Sequence, residues 1–155
     1  MHFNQHPEKW FGQHQLIELM EDFGIYTHAI TPTLKQKYSP RMMKREAEKA
    51  TKIFLRFVNS TYFGKLYNRG KKSLPVCTFY ETKLFGENPH LHMAIGSPEG
   101  VSYEEFKVTL IASKERIDLF NQQFDVRPFN SNGWLTYISK GGIEGMIPTC
   151  CSRGI

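Results

Sequence analysis

The segment "NPHLHMAIG" (88–96) places two histidines one residue apart in a stretch that otherwise reads as an apolar strand. Side chains at positions i and i+2 of a strand share a face, so His90 and His92 project together. Leu91, Met93 and Ile95 point to the opposite face, toward a core. Two neighbouring imidazoles on one face are suited to binding one metal cation. A pair of purely structural histidines is the alternative interpretation.

Glu81 is the candidate third ligand. It lies nine residues before His90, near the end of the preceding predicted strand. A turn through "LFGENP" would fold this strand back beside the histidines and bring the carboxylate across from them. Two imidazoles and one carboxylate suit Mg²⁺ or Mn²⁺, and Zn²⁺ would bind such a set too. Glu87 and Glu99 are weaker candidates because both fall in predicted loops.

A second group with chemical potential is "YISK" (137–140). On a helix, Tyr137 and Lys140 are three positions apart and share a face with Trp134, whereas Leu135 and Ile138 anchor the other face. Tyrosine can act as a covalent nucleophile, although a free phenol with a pKa of about 10 is a poor one. A metal ion on a phosphate and a nearby ammonium would both assist it. The alternative is an interfacial tyrosine beside a solvated lysine.

The elements that would position these residues follow from hydrophobic periodicity and capping signals. The long central helix is predicted to start at Ser39-Pro40 and to bury Ile53, Phe54 and Phe57. Ser102 and Glu105 form a capping box. The predicted helices are 7–23, 39–60, 102–114 and 131–140, and the predicted strands are 25–33, 73–83, 90–98 and 117–129.

This order contains an internal βαββαβ unit. It predicts a ferredoxin-like α+β fold with a central antiparallel sheet, helices on one face and an open, active face on the other. The 155 residues suit one domain. No stretch is apolar enough for a membrane span, and the N-terminus is not a signal peptide. The three cysteines are odd in number and form no C-x-x-C pair, so we expect reduced thiols and a cytoplasmic location.

Basic residues are concentrated in one region of the chain. Twelve of the twenty Lys and Arg lie between Lys35 and Lys72, against Glu46 and Glu48 alone. A basic patch with interleaved aromatic residues indicates a surface for single-stranded nucleic acid. We therefore also consider a non-catalytic binding module that uses the basic helix 40–60 and needs no metal. The predicted DNA contacts are Lys35, Lys37, Arg41, Lys44, Arg45, Lys71 and Lys72.

The combination of "HLH" on a strand, a preceding glutamate and a later helical "YISK" resembles the HUH endonucleases, in particular the single-tyrosine initiators of rolling-circle replication. The resemblance covers residues 25–141. It implies that His90, His92 and Glu81 bind one Mg²⁺ or Mn²⁺. It also implies that Tyr137, assisted by Lys140, attacks a backbone phosphate of single-stranded DNA. The products would be a 5′-phosphotyrosine link and a free 3′-OH.

The same resemblance implies a biological setting. The partners would be an origin of a small phage, viral or plasmid replicon, with a hairpin, and the helicase and polymerase of a bacterial or archaeal host. We expect a nicking domain with a helical extension at 1–24, a catalytic core at 25–141 and a tail at 142–155. Only fifteen residues follow Lys140, so no helicase domain is expected. A small transposase of the same superfamily would share the chemistry.

Overall fold

The protein is described by a computed structural model that covers residues 7–82, 88–130 and 133–155, with side chains from residue 12 onward. Two 3₁₀ turns, at Ile143–Gly145 and Pro148–Cys150, follow the last helix. The helices and strands are α1 (Pro7–Asp22), β1 (His28–Leu34), α2 (Pro40–Phe63), α3 (Lys65–Asn68), β2 (Val76–Glu81), β3 (His90–Ile95), α4 (Tyr103–Lys114), β4 (Phe120–Pro128) and α5 (Trp134–Ile138).

The four strands form one sheet in the order β2-β3-β1-β4, and every neighbouring pair is antiparallel. Strand β3 lies between β1 and β2, and α2 and α3 form the connection from β1 to β2. This is the split arrangement of the ferredoxin-like α+β fold, so the predicted fold class is confirmed. Both central strands, β1 and β3, carry apolar side chains on the face toward α2 and α4.

The main core lies between this first face of the sheet and the helices α2 and α4. Leu91, Met93 and Ile95 all point into it, as the alternation predicts. Helix α4 begins as expected, because the Ser102 hydroxyl accepts a hydrogen bond from the Glu105 amide at 3.2 Å. The prediction for α2 is wrong in one respect. Phe54 is fully buried but Ile53 is 41% exposed, since it lies about 100° around the helix from Phe54.

A smaller core lies on the second face of the sheet. Leu16 and Met20 of α1 pack there against Leu135 and Ile138 of α5, over the strands β2 and β3. The second face is therefore covered over one half by the N-terminal extension and by α5. Over β1 and β4 it remains open, with Asp125 among the exposed residues of β4.

The C-terminal segment adds to the edge of the sheet. Met146 pairs with Phe79 and Ser152 pairs with Val76, both in antiparallel sense. These bridges occupy backbone groups on the outer edge of β2, which an exposed edge strand would leave free for other chains. Residues 142–155, expected to be a tail, are thus integrated into the fold. Among the described helices, none combines the length and the apolar character needed to cross a bilayer.

Candidate active site

The register of β2 against β3 brings the three predicted metal ligands together. Glu81 stands directly opposite His90, and Phe79 stands opposite His92. Because paired residues share a face, Glu81, His90 and His92 all point to the second face, beside α5. His92 Nε2 lies 2.5 Å from Glu81 Oε2, and His90 Nε2 lies 3.7 Å from the same oxygen. One carboxylate oxygen thus faces both imidazoles.

The three side chains could hold a metal ion. Their ligand atoms all lie within 4.8 Å of one another. Glu81 and His90 are half-buried, and His92 is only 4% exposed. Glu99 lies in an exposed loop outside this cluster, and Glu87 lies outside the described residues. The predicted convergence of Glu81 with the two histidines is confirmed.

Glu81 has a second partner on its other oxygen. Lys140 Nζ lies 3.2 Å from Glu81 Oε1. Burial alone would raise the pKa of Glu81, but the hydrogen bonds and charges of His92 and Lys140 outweigh it and lower the pKa. Burial would likewise lower the pKa of Lys140, whereas Glu81 raises it overall. The pair is therefore ionised at neutral pH, and the Glu81 carboxylate links the histidines to Lys140 in the turn that follows α5.

His92 is held as a neutral ring. Burial lowers the pKa of its imidazole, and the neighbouring Glu81 carboxylate offsets this only in part. An ionised carboxylate accepts but does not donate, so the proton of the neutral ring is on Nε2. The Nδ1 atom is buried without a hydrogen-bond partner among the described residues. The ring therefore depends on Glu81 and on the packing of its neighbours for its orientation.

Tyr137 is one of those neighbours. Its ring meets the His92 ring edge-on, with centroids 5.3 Å apart. Lys140 Nζ lies over the Tyr137 ring, 4.1 Å from its centroid. The tyrosine is 46% exposed and lines a cleft of about 680 Å³ together with His90 and His92. The phenol, the ammonium and the candidate metal ligands are thus neighbours.

Trp134 holds α5 against β3 and contacts both Tyr137 and His92. Its indole N–H donates to the Met93 carbonyl at 3.1 Å, which ties α5 to β3. Its ring stacks on Tyr137, with centroids 5.6 Å apart and planes inclined by 25°, and meets His92 edge-on at 5.7 Å. The sequence placed Trp134 on the face of Tyr137 but did not indicate its contact with His92.

Helix α1 supports the tyrosine helix, a role that the sequence did not indicate. Gln13 Nε2 donates to the Thr136 carbonyl at 2.9 Å and lies 3.3 Å from Ser139 Oγ. Together with the packing of Leu16 and Met20, these bonds hold the five-residue α5 in place. The helix predicted over 131–140 is shorter in the structure, where it covers Trp134–Ile138 with Gly133 as N-cap. Lys140 therefore lies in the turn after the helix and not on the predicted helix face. The predicted caps, Ser131 and Asn132, lie outside the described residues.

A third strand histidine, His28, belongs to the core. It is fully buried on the first face, where its ring stacks on Tyr103 with centroids 4.3 Å apart. Its Nε2 bonds to the Tyr103 carbonyl at 3.0 Å and its Nδ1 to the Thr27 hydroxyl at 2.6 Å. His28 is therefore structural and lies on the opposite side of the sheet from the metal-ligand cluster.

The predicted DNA contacts divide into two groups. Lys35 and Lys37 follow the end of β1, where Thr33 pairs with His90, and both form ion pairs with Asp118. The first turns of α2 follow directly, so this group lies at the same end of the sheet as the cleft. Its other members are the exposed Arg41, Lys44 and Arg45, of which Lys44 donates to the Glu144 carbonyl at 2.7 Å.

Lys71 and Lys72 form the second group, at the opposite end of the sheet. They precede the start of β2, whereas Glu81 lies at its end. Six residues of strand span roughly 17 Å at about 3.3 Å per residue. The structure therefore does not bring these two lysines to the cleft, although both are exposed.

Comparison of the chain with models of protein families, with curated proteins and with solved structures gave no match. Function is therefore inferred from the side chains around Glu81 and Tyr137. These residues stand together on one half-open face of a ferredoxin-like sheet.

Proposed function

We propose that the protein cuts and rejoins single-stranded DNA through a covalent link to Tyr137. The observation that carries this proposal is the meeting of a phenol, an ammonium and a His-His-Glu cluster at one cleft. Each group has a use in transesterification of a phosphodiester. The phenol and the ammonium come from residues 137–140, and the metal-ligand cluster comes from β2 and β3. The resemblance to HUH endonucleases rests on these same residues.

Glu81, His90 and His92 would hold one divalent cation, for which we propose Mg²⁺ or Mn²⁺. Imidazole and carboxylate ligands, with positions left for water and phosphate oxygens, suit Mn²⁺ and Mg²⁺ more than a thiolate-selecting metal. When bound, such an ion polarises a phosphoryl oxygen and stabilises the charge that develops on it. The fit of the site depends on Glu81, because its ionised carboxylate supplies the negative charge.

Tyr137 supplies the nucleophile. Its oxygen would attack the phosphorus, the phenol would lose its proton, and the 3′-oxygen of the departing strand would take one up. The 5′ end then stays on the tyrosine as a phosphodiester, so a second 3′-OH can reverse the step without ATP. Lys140 is close enough to the ring to stabilise the phenolate electrostatically, and its bond to Glu81 keeps it there.

The open half of the second face supports a single strand as the substrate. The cleft continues from the histidines along Thr31, Thr33, Gln123 and Asp125, which offer polar groups on β1 and β4. The basic residues at the end of β1 and the start of α2 would contact phosphates beyond it. A free 3′-OH at a nick can prime DNA synthesis. We therefore propose that the substrate is an origin of rolling-circle replication, which the protein recognises as a hairpin. The partners would be the helicase and the polymerase of the host.

The test is a denaturing gel of the protein mixed with a labelled stem-loop DNA and Mn²⁺. We expect a slower band that survives denaturation, requires the metal and is lost in Tyr137→Phe. Tyr38→Phe is the matched control, since Tyr38 is 39% exposed and lies outside the cleft. A covalent band that persists in Tyr137→Phe would refute the assignment of the nucleophile. Absence of any covalent band across several stem-loops would refute the proposed reaction.

A non-catalytic module for single-stranded nucleic acid is the second candidate. The observation that favours it is that Glu81 satisfies both oxygens with protein partners, His92 and Lys140, so the network closes without a metal. If the protein is such a module, it should bind DNA equally well in Mn²⁺ and in a chelator, and it should form no covalent band in the denaturing gel.

A further inference from the structure

Outside the cleft, the C-terminal segment places two cysteines side by side on the second face of the sheet. Val76 and Ser152 exchange both backbone hydrogen bonds, at 3.0 and 2.9 Å, and so form a hydrogen-bonded antiparallel pair. In an antiparallel register, one step along from Val76 and Ser152 leads to Cys77 and Cys151. Hydrogen-bonded and non-hydrogen-bonded pairs alternate, so this is a non-hydrogen-bonded pair.

This position has the spacing that a disulfide needs. Non-hydrogen-bonded antiparallel pairs have Cα atoms about 4.5 Å apart, within the range of about 4.4–6.8 Å found across disulfides. The side chains agree with the register. The Cys151 thiol accepts a hydrogen bond from the Thr78 amide at 3.3 Å and interacts directly with the Cys77 thiol. Both sulfurs border the same small core beneath α5.

The two thiols differ in a way that assigns them different roles. Cys77 is fully buried and its thiol contacts the Tyr26 hydroxyl at 2.9 Å. Cys151 is only partly buried. The hydrogen bond from Cys77 lowers the pKa of Cys151, so Cys151 is the better source of thiolate. Cys150, its neighbour in sequence, points toward α2, where its thiol contacts the Glu48 carbonyl at 3.6 Å, and burial raises its pKa to about 12.

We propose that Cys77 and Cys151 form a reversible disulfide on exposure to a low-molecular-weight disulfide, and that Cys150 does not take part. The Cys151 thiolate attacks one sulfur of the oxidant and expels one thiol. Cys77 then loses its proton, attacks the Cys151 sulfur and expels the second thiol. The protein loses two protons and two electrons, and the oxidant takes them up and is reduced to two thiols. The link would fasten the C-terminal segment to the edge of β2.

The test uses the whole protein incubated with oxidised glutathione, alkylated, digested with trypsin and analysed by mass spectrometry. Cys77 falls in the fragment 73–83, and Cys150 and Cys151 both fall in the fragment 141–153. We expect these fragments to be linked, in the wild type and equally in Cys150→Ala. We expect no link in Cys151→Ala, and reversal by reduced thiol. The oxidised protein should also melt at a higher temperature, because the bond closes a long loop.

Two results would overturn the proposal. One is a glutathione adduct on Cys151 as the main product of the wild type and of Cys150→Ala, without linked fragments. The other is equal linkage in Cys151→Ala, which would show that Cys150 reaches Cys77. Fragmentation of the linked wild-type peptides between Cys150 and Cys151 assigns the bond without any substitution, so the outcome does not depend on how well a variant folds.

Discussion

Replacement of Glu81 by glutamine separates the charge of this residue from its shape. The amide has nearly the same size as the carboxylate, and its oxygen can still accept the His92 Nε2–H hydrogen bond. The negative charge is lost. So are the ion pair with Lys140 and the anionic ligand of the candidate metal ion.

The cost to the metal-free fold should be small. Lys140 is 49% exposed, and ion pairs open to solvent contribute about 0.2–1 kcal/mol. With the His92 hydrogen bond retained, we expect the free energy of unfolding to fall by about 1 kcal/mol. For a chain of this size, that corresponds to a drop in Tm of about 2–4 °C.

The cost to metal binding should be much larger. Loss of a residue that merely orients a metal ligand lowers affinity by about 10–100-fold. Glu81 is the only anionic member of the three-residue cluster, and its replacement also leaves the Lys140 ammonium unneutralised beside the cation. We therefore expect Mn²⁺ affinity to fall by at least about 100-fold, which is about 2.8 kcal/mol.

Isothermal titration with Mn²⁺ and thermal unfolding in a chelator measure the two effects on the same preparation. Glu99→Gln is the matched control, because it removes an equal charge from an exposed loop outside the cluster. It should leave both quantities near wild type. If Glu81→Gln bound Mn²⁺ within a factor of about three of wild type, or about 0.7 kcal/mol, the cluster would not be the metal site.

Three further predictions test the surroundings of the site. Trp134→Ala removes the ring stacked on Tyr137 and should slow single-turnover nicking by about 2–10-fold, which corresponds to about 0.5–1.5 kcal/mol in the activation barrier. The affinity for Mn²⁺ should be unchanged. Trp134→Phe should recover most of the rate, and equal rates in the two variants would argue against a positioning role. Met20→Ala opens a cavity beneath α5 and should lower the free energy of unfolding, measured by urea denaturation, by about 2–5 kcal/mol. An unchanged urea midpoint would place α1 outside the cooperatively unfolding part of the protein. For a short DNA single strand centred on the cleft, Lys35→Ala should reduce the slope of log association constant against log salt concentration by about 0.7, whereas Lys71→Ala should leave the slope unchanged. A reduced slope in Lys71→Ala alone would place the DNA at the other end of the sheet.

The sequence predicted the centre of the site because short-range rules determine it. An H-x-H pair on a strand must share a face, and the following apolar residues show which face is buried. The short connection from β2 to β3 favours a hairpin, and a hairpin brings Glu81 near His90. The proximity of Tyr137 and Lys140, three residues apart, is equally local, although Lys140 lies in the turn after α5 and not on the predicted helix face. These relations need no knowledge of the rest of the chain.

The surroundings could not be predicted in the same way, because they depend on long-range contacts. Nothing in the pattern of α1 indicates that Leu16 and Met20 pack beneath α5, more than a hundred residues away in sequence. The pairing of residues 146–152 with β2 uses backbone groups, which every sequence carries. The basic residues were grouped by their proximity in sequence, whereas α2 carries Lys71 and Lys72 to the far end of the sheet from the cleft.

Anomalous diffraction at the manganese absorption edge from crystals of the Mn²⁺-loaded protein tests the central claim most directly. We predict one strong peak bonded to Glu81, His90 and His92, on the side of the cleft that Tyr137 lines. A peak elsewhere on the protein, or none at saturating Mn²⁺ while Glu81 stays bonded to His92 and Lys140, would contradict a metal-dependent reaction at this site.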